Sequence, residues 1–216
     1  MEPLRVGNGE VDRAVAALRA GQPVVLPTDT VYGLCANPYS EAPVRRAYTL
    51  KGREAAKPSA LVASDVDMVL ECVPELRSRI GPILRAVLPG PFTLVVPNPA
   101  QRYRWLTGDR PETLGIRVPE LPTPADAVLI RTGAVMATSA NLPGRRDPAR
   151  LDEVPREILD GCAAVIDAGE LPGLPSTVVD LTGDEPRVLR EGAVPADDVL
   201  ARVRAVFSTG TASSRG

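Results

Sequence analysis

The sequence predicts one α/β domain built on a twisted mixed sheet with flanking helices. Short apolar runs of strand length alternate with amphipathic helical stretches along the whole chain. No long linker or internal repeat divides them. At 216 residues with 44% apolar content, the chain can bury a full core as one domain. Aromatic residues are only 3%, so that core must rest on Val, Leu, Ile and Ala.

Each element has its own warrant. Glu10 to Ala20 carries Val11, Val15 and Leu18 at helical spacing and stops at Gly21. Pro23 to Pro27 reads as a short buried strand. Ser40 opens a helix through about Lys51, with Pro43 tolerable only in its first turn. Ala60 to Ala63 is a predicted strand and Asp65 to Cys72 a helix. Glu75 to Leu88 is a predicted helix that ends at Leu-Pro-Gly-Pro. Phe92 to Val96 and Leu114 to Val118 are strands, the second carrying Arg117. Thr123 to Ile130 is helical, Val135 to Thr138 a strand, and Leu151 to Leu159 helical. Ala163 to Ile166, Thr177 to Leu181 and Arg187 to Leu189 complete the strands. Beyond Leu189 no element is assigned. Residues 1–207 form the expected domain, and Ser208 to Gly216, which has no apolar anchor, reads as a disordered tail. The 23 prolines, roughly twice average usage, mostly punctuate the ends of apolar runs.

Composition excludes several classes of function. The formal charge is −2, from 25 basic and 27 acidic residues, so any anion must be held by a local cluster. No apolar stretch reaches the length of a membrane span, and the N-terminus lacks a signal-peptide core. Cys35, Cys72 and Cys162 are odd in number and far apart, which fits a reducing cytoplasm rather than a disulfide framework or a zinc site. With no histidine in the chain, Ser-His-Asp and Cys-His catalysis are impossible.

Six segments place small polar residues, glycine and isolated basic residues after predicted strands or helices. They are Pro27 to Leu34 (PTDTVYGL), Lys51 to Arg53 (KGR), Gly115 to Pro119 (GIRVP), Thr138 to Gly144 (TSANLPG), Pro175 to Asp180 (PSTVVD) and Val188 to Gly192 (VLREG). In open α/β sheets, sites lie beyond the carboxyl ends of strands. Each segment alone is weak. Gly33 or Gly144 is by itself a turn glycine, Thr-Ser-Ala-Asn a helix cap, and Lys51 with Arg53 a solvated helix end. Neither a Walker loop nor a dinucleotide fingerprint is present.

Together and in order, the segments resemble the YrdC-type threonylcarbamoyl-AMP synthase family over about Gly9 to Leu200. KGRE is followed by Lys57-Pro58, and LPGPFT, from Leu88 to Thr93, resembles the family's WPGPLT. Thr113 to Pro119 fits TxGxRxP, while STVVD (Ser176 to Asp180) and LREGA (Leu189 to Ala193) follow the family pattern. The resemblance implies a YrdC/RibB-like fold in single-domain form, with lid closure left to the chain's own loops. It implies a catalytic tetrad of Lys51, Arg53, Ser139 and Asn141. Thr113 and Arg190 would lie on the ATP side. Thr28, Arg117 and Ser176 would hold threonine, with Tyr32 walling the pocket.

The implied reaction joins threonine, bicarbonate and ATP, with Mg²⁺ on the ATP, into threonylcarbamoyl-AMP and pyrophosphate. A downstream tRNA threonylcarbamoyl transferase acting on adenosine 37 would consume the product. The residue types suit that chemistry. Displacement at phosphorus is mostly positioning and charge stabilisation. A lysine supplies a point charge, and an arginine fork matches two oxygens of a carboxylate or phosphate. Three departures stand out. Cys35 and Pro143 replace a glycine and a serine of the family pattern, and Ala60 to Ser64 holds no histidine for the threonine side. The alternative readings are a nucleotide- or double-stranded-RNA-binding paralogue of the same fold, with weak RNA binding in a basic pocket, and a carbamoyl-transfer module of a larger maturation factor. Retention of the tetrad favours the synthase over the first, and the missing acylphosphatase and zinc-finger segments argue against the second.

Overall fold

The computed structural model describes residues 8–54 and 56–212. The expected α/β architecture is what it shows. Nine strands form one mixed sheet among the described residues: β1 (Val24–Pro27), β2 (Tyr32–Ala36), β3 (Ala60–Ala63), β4 (Phe92–Pro97), β5 (Thr113–Arg117), β6 (Ala134–Ser139), β7 (Ala164–Val165), β8 (Thr177–Asp180) and β9 (Arg187–Arg190). Their spatial order is β7-β1-β2-β6-β3-β5-β4-β8-β9. The pairs β1–β7, β3–β5 and β4–β8 are parallel, and the remaining neighbours are antiparallel.

The helices are α1 (Asn8–Arg19), α2 (Glu41–Lys51), α3 (Val66–Cys72), α4 (Gly81–Val87), α5 (Thr123–Thr132), α6 (Arg156–Asp160) and α7 (Ala196–Ala212). None among the described residues is long and apolar enough to cross a membrane. Strand alternation sorts the core into two layers. Val25, Leu34, Leu61, Met136, Leu94 and Ile116 join the layer that includes α4 and α7. Val24, Leu26, Val62 and Val135 join the layer under α1 and α5.

The differences from the sequence expectation are local. β2 lies in a stretch read as loop, because all five of its residues are buried and none is polar enough to give a period-two pattern. The predicted helix over Glu75 to Leu88 is two pieces, a 3₁₀ turn at Pro74–Leu76 and α4, since Gly81 and Pro82 restart the helix. Pro155 splits Leu151 to Leu159 in the same way, into a 3₁₀ turn and α6. α7 was not expected. It buries Val199 and Val203 against α4 and runs to Ala212, into the stretch read as a tail. Residues 1–7 and 213–216 lie outside the described residues.

Two backbone features aim the site. Gly52 caps α2 in the left-handed region, with φ 64, and its N–H and that of Arg53 bond Thr49 and Tyr48 carbonyls. The turn sends Lys51 inward and frees Arg53 to leave the helix in another direction. On the opposite edge, β8 pairs Val178 with Arg190 and Val179 with Val188. Leu189 is thus the extra residue of a bulge, which re-aims neighbouring side chains. The hairpin is closed tightly: a Cβ at Gly192 would stand 2.1 Å from the Pro175 carbonyl oxygen and 2.7 Å from the Ser176 backbone. Gly192→Ala is therefore expected to destabilise the fold by roughly 1–3 kcal/mol through overpacking. Denaturant unfolding checks this, and a variant as stable as the parent would show that the hairpin relaxes freely.

Candidate active site

α1 and α5 cover only part of their face of the sheet. Over β3, β5, β4, β8 and β9 that face is open, and a cleft of about 400 Å³ lies there. Its floor is the strand residues that do not point into the α4 layer: Ala60 and Val62, Gly115 and Arg117, Thr93 and Val95, and Val178. Four arginines, Arg53, Arg110, Arg117 and Arg190, converge on it from four segments. In a chain of net charge −2 this is the local cluster that anion binding requires.

The structure divides the expected tetrad. Arg53 and Ser139 line the cleft, whereas Lys51 and Asn141 sit beneath it. Lys51 is 3% exposed. Its Nζ donates to the carbonyls of Ser139 (2.5 Å) and Asn141 (2.8 Å) and to Asn141 Oδ1 (2.6 Å). Three donors meet three acceptors, which satisfies the ammonium. Burial pulls the Lys51 pKa down to about 8, with Arg53 acting in the same direction and Asp147 opposing. Asn141 Oδ1 also accepts from Ser139 Oγ at 2.7 Å, and its Nδ2 donates to the Arg145 carbonyl at 2.6 Å. Lys51 and Asn141 therefore fix the turn that presents Ser139 to the cleft.

Arg53 donates to the Pro58 carbonyl (2.6 Å) and reaches Thr138 Oγ1 at 3.4 Å, and its guanidinium lies 5.9 Å from the Tyr48 ring centroid. Burial lowers its pKa. Arg117 donates through Nη2 to Asp29 Oδ1 and to Thr30 Oγ1 (2.7 Å). Burial lowers the Arg117 pKa against the pull of Asp29, and it raises that of Asp29 against the pull of Arg117. The Nε atoms of both Arg53 and Arg117 are buried without a partner.

Thr28, Thr113, Ser176 and Arg190 also line the cleft. The Thr28 hydroxyl is committed to its turn, donating to the Val31 carbonyl at 2.7 Å and accepting from the N–H groups of Thr30 and Val31. Thr113 Oγ1 donates to the Arg110 carbonyl at 3.2 Å. Ser176 Oγ lies 2.8 Å from Thr93 Oγ1, and Arg190 Nη2 donates to the Ser176 carbonyl at 2.8 Å.

Tyr32 does not wall this pocket. In β2 it shares its direction with Leu34, into the α4 layer, while Gly33 faces the cleft. Its hydroxyl donates to Asp167 Oδ1 (2.7 Å) or the Gly169 carbonyl (2.8 Å) and accepts from the Ala168 N–H (3.0 Å). Burial, with Asp167 beside it, pushes the phenol pKa up to about 12. Cys35 is buried, and burial pushes its thiol up to about 12, the state of an inert packing residue. Arg110 and Asp147 line the cleft without having been read from the sequence, and Thr93 and Leu189 line it from within the LPGPFT and VLREG segments without having been singled out there. Arg110 could have been found from its place three residues before Thr113. Nothing local marks Asp147.

Two substitutions separate these roles. Lys51→Met should lower stability by roughly 2–4 kcal/mol, because it leaves buried acceptors unpaired, and a melting temperature equal to the parent's would refute the placement of its ammonium. Tyr32→Phe should cost about 1–2 kcal/mol of stability while leaving ligand affinity in the cleft within about twofold. A large loss of affinity without a change in melting would return Tyr32 to the pocket wall.

Comparison with known proteins bears on what fills the cleft. The family model Sua5_yciO_yrdC, described as telomere recombination, matches residues 16–192. A human threonylcarbamoyl-AMP synthase is 36% identical over 189 residues, covering 83% of this chain and 66% of the human one. The solved Pyrococcus abyssi Sua5 complexed with L-threonine is similar at TM-score 0.80 and 30% identity, covering 92% of this chain. This chain spans 58% of that archaeal protein. Escherichia coli YciO is similar at TM-score 0.74 and 26% identity, with 88% and 92% of the two chains covered.

Proposed function

The chain belongs to the Sua5/YciO/YrdC family, and from that membership we propose that it is a threonylcarbamoyl-AMP synthase, joining threonine, bicarbonate and ATP with release of pyrophosphate. The observation that carries the reading is the convergence of Arg53, Arg110, Arg117 and Arg190 with Ser139, Thr113 and Ser176 on one cleft of an otherwise acidic chain.

In this reading N-carboxylated threonine attacks the α-phosphorus and the β,γ unit leaves whole. Arg53 and Ser139 hold the triphosphate, Arg53 with its guanidinium already oriented by the Pro58 carbonyl and the Tyr48 ring. Thr113 and Arg190 lie on the nucleotide side, Arg190 at its border with the threonine end, where it holds the Ser176 carbonyl. Arg117 takes the threonine carboxylate, with Thr28 and Ser176 shaping that end. Lys51 and Asn141 contribute by keeping Ser139 in place, at no reorganisation cost when the substrates arrive. The amine of threonine loses a proton to solvent or phosphate, and the neutral nitrogen then adds to bicarbonate, whose hydroxyl departs as water to leave the carbamate; no histidine is needed for this.

Mg²⁺ bound with ATP supplies charge neutralisation on the departing pyrophosphate. Among the described residues no group of three His, Cys, Asp or Glu comes together, so phosphate oxygens would be its main ligands. Asp147 is the carboxylate on the cleft wall that would suit it. The three free cysteines fit work in a reducing compartment such as the cytoplasm. A mixed anhydride of a carbamate and a phosphate is labile, so a transferase that passes the group to tRNA should act directly downstream.

The test is pyrophosphate release with each substrate omitted in turn, with mass spectrometry for the adenylate. Release should require threonine, bicarbonate and ATP together. Arg53→Ala should lower the rate by about 10²–10³-fold, the cost of one preorganised charge contact, with little change in melting temperature. Release that ignores threonine, or no adenylate with every substrate present, would leave a nucleotide-binding paralogue as the better reading.

A further inference from the structure

Arg117 differs from the other arginines of the cleft in one respect. Its charge is balanced inside the protein. The Arg117–Asp29 pair is the one salt bridge among the described residues with both side chains largely buried, at 12% and 10% exposure. Arg110 pairs with Glu112 where both are more than half exposed. The hydrogen bonds of Arg53 and Arg190 go to neutral oxygens. Asp29 itself does not line the cleft. It stands behind Arg117, on the β1–β2 turn, and grips the same Nη2 that Thr30 accepts from. The turn is rigid. Thr28 spends its hydroxyl proton on the Val31 carbonyl, so Thr30 donates to Thr28 at 2.9 Å and has a lone pair left for Arg117.

A carboxylate buried in this place carries a desolvation cost, which raises the Asp29 pKa against the pull of Arg117. Arg190 is close enough to Arg117 to disfavour its charge. Without Asp29, two guanidinium groups would meet at this end of the cleft and would attract phosphate as readily as a carboxylate.

We propose that Asp29 tunes substrate choice at the Arg117 end of the cleft: by balancing the guanidinium from behind, it shifts that end's preference away from a plain anion and toward a zwitterionic amino acid. The carboxylate of the amino acid meets Arg117, its ammonium feels the negative charge of Asp29, and the triphosphate is left to the uncompensated arginines. Asp29 acts through Arg117 and touches no reacting atom, so it is a positioning and specificity-determining residue. The inference rests on the reading of the cleft as a threonine site.

The decisive comparison uses calorimetric titration of threonine and of 2,3-dihydroxybutyrate of the same stereochemistry, which carries a hydroxyl where threonine has its ammonium. Because Arg117 repels the ammonium that Asp29 attracts, the quantity that reports on Asp29 is the change in the ratio of the two affinities when its charge is removed. Asp29→Asn, which keeps the shape and an acceptor for Arg117, should move that ratio toward dihydroxybutyrate by about tenfold or more, the scale set by one unit charge several ångström away at an effective dielectric constant of ~20, and inorganic pyrophosphate should begin to compete with threonine. Asp29→Glu keeps the charge and should keep the parent's ratio. If Asp29→Asn leaves the ratio unchanged, the residue is merely structural and the proposal is wrong. A parent protein that binds no threonine at all removes the threonine reading of the cleft, and the proposal with it.

Discussion

A β-strand must send alternate side chains to opposite faces, and in this protein that constraint decides where chemistry can occur. Leu61, Leu94, Leu114, Ile116 and Val179 spend one parity of the central strands on the helices of the α4 layer. The other parity has α1 and α5 to cover it only near β1, β2, β6 and part of β3. Over the remaining strands, those positions hold Ala60, Gly115, Thr93, Val178 and Arg117, which are small, polar or charged. A small residue leaves room for a ligand, and a polar one at the strand end can touch it. The cleft is thus the uncovered half of a sheet face, and it needs no separate scaffold.

What gives that half-face its sign is the way polar groups are committed elsewhere. Lys51, the cation that the sequence pattern puts foremost, is spent on two carbonyls and an amide beneath the surface. Asp29 is spent on Arg117. The charged groups that line the cleft are four arginines and Asp147. An acidic chain therefore presents a basic cavity. Tyr48 and Pro58 support the Arg53 guanidinium from the side, so its orientation is set before any anion arrives.

The fold was legible in the sequence where a strand or helix had one exposed face, as in Phe92 to Val96 with its alternating burial. It was illegible where burial was complete or the chain broke its own period. β2 is buried on both faces, so Tyr-Gly-Leu-Cys-Ala shows no alternation to read. Pro82 and Pro155 cut apolar stretches whose spacing alone suggested longer helices. The site was legible as motifs but not as directions. Arg53, Ser139, Thr113, Arg117, Ser176 and Arg190 meet in one cleft, as ordered motifs implied. Whether a motif residue faces the ligand or the core depends on one step of strand parity, and that step turns Tyr32 away while leaving Gly33 at the cleft. Asp147 comes from a loop with no periodicity, and only the folded chain brings it to the wall.

A motif residue can thus serve a cleft by fixing the turns that form its walls. The buried ammonium of Lys51 and the amide of Asn141 convert the end of β6 into a fixed turn, and Thr28, Thr30 and Asp29 do the same for the end of β1. Both turns carry cleft residues, Ser139 on one and Thr28 with Val31 on the other. A loop held only by surface contacts would have to be ordered on binding, and that ordering would subtract from affinity. Here the ordering is already accomplished in the fold, through hydrogen bonds that water cannot easily compete for. Residues that order a loop and residues that touch a ligand would then leave the same trace in a sequence motif, and they can be told apart only by whether their polar atoms are already satisfied. In this fold the polar atoms of the Lys51 side chain are already satisfied beneath the cleft, while Arg53 and Arg117 line it.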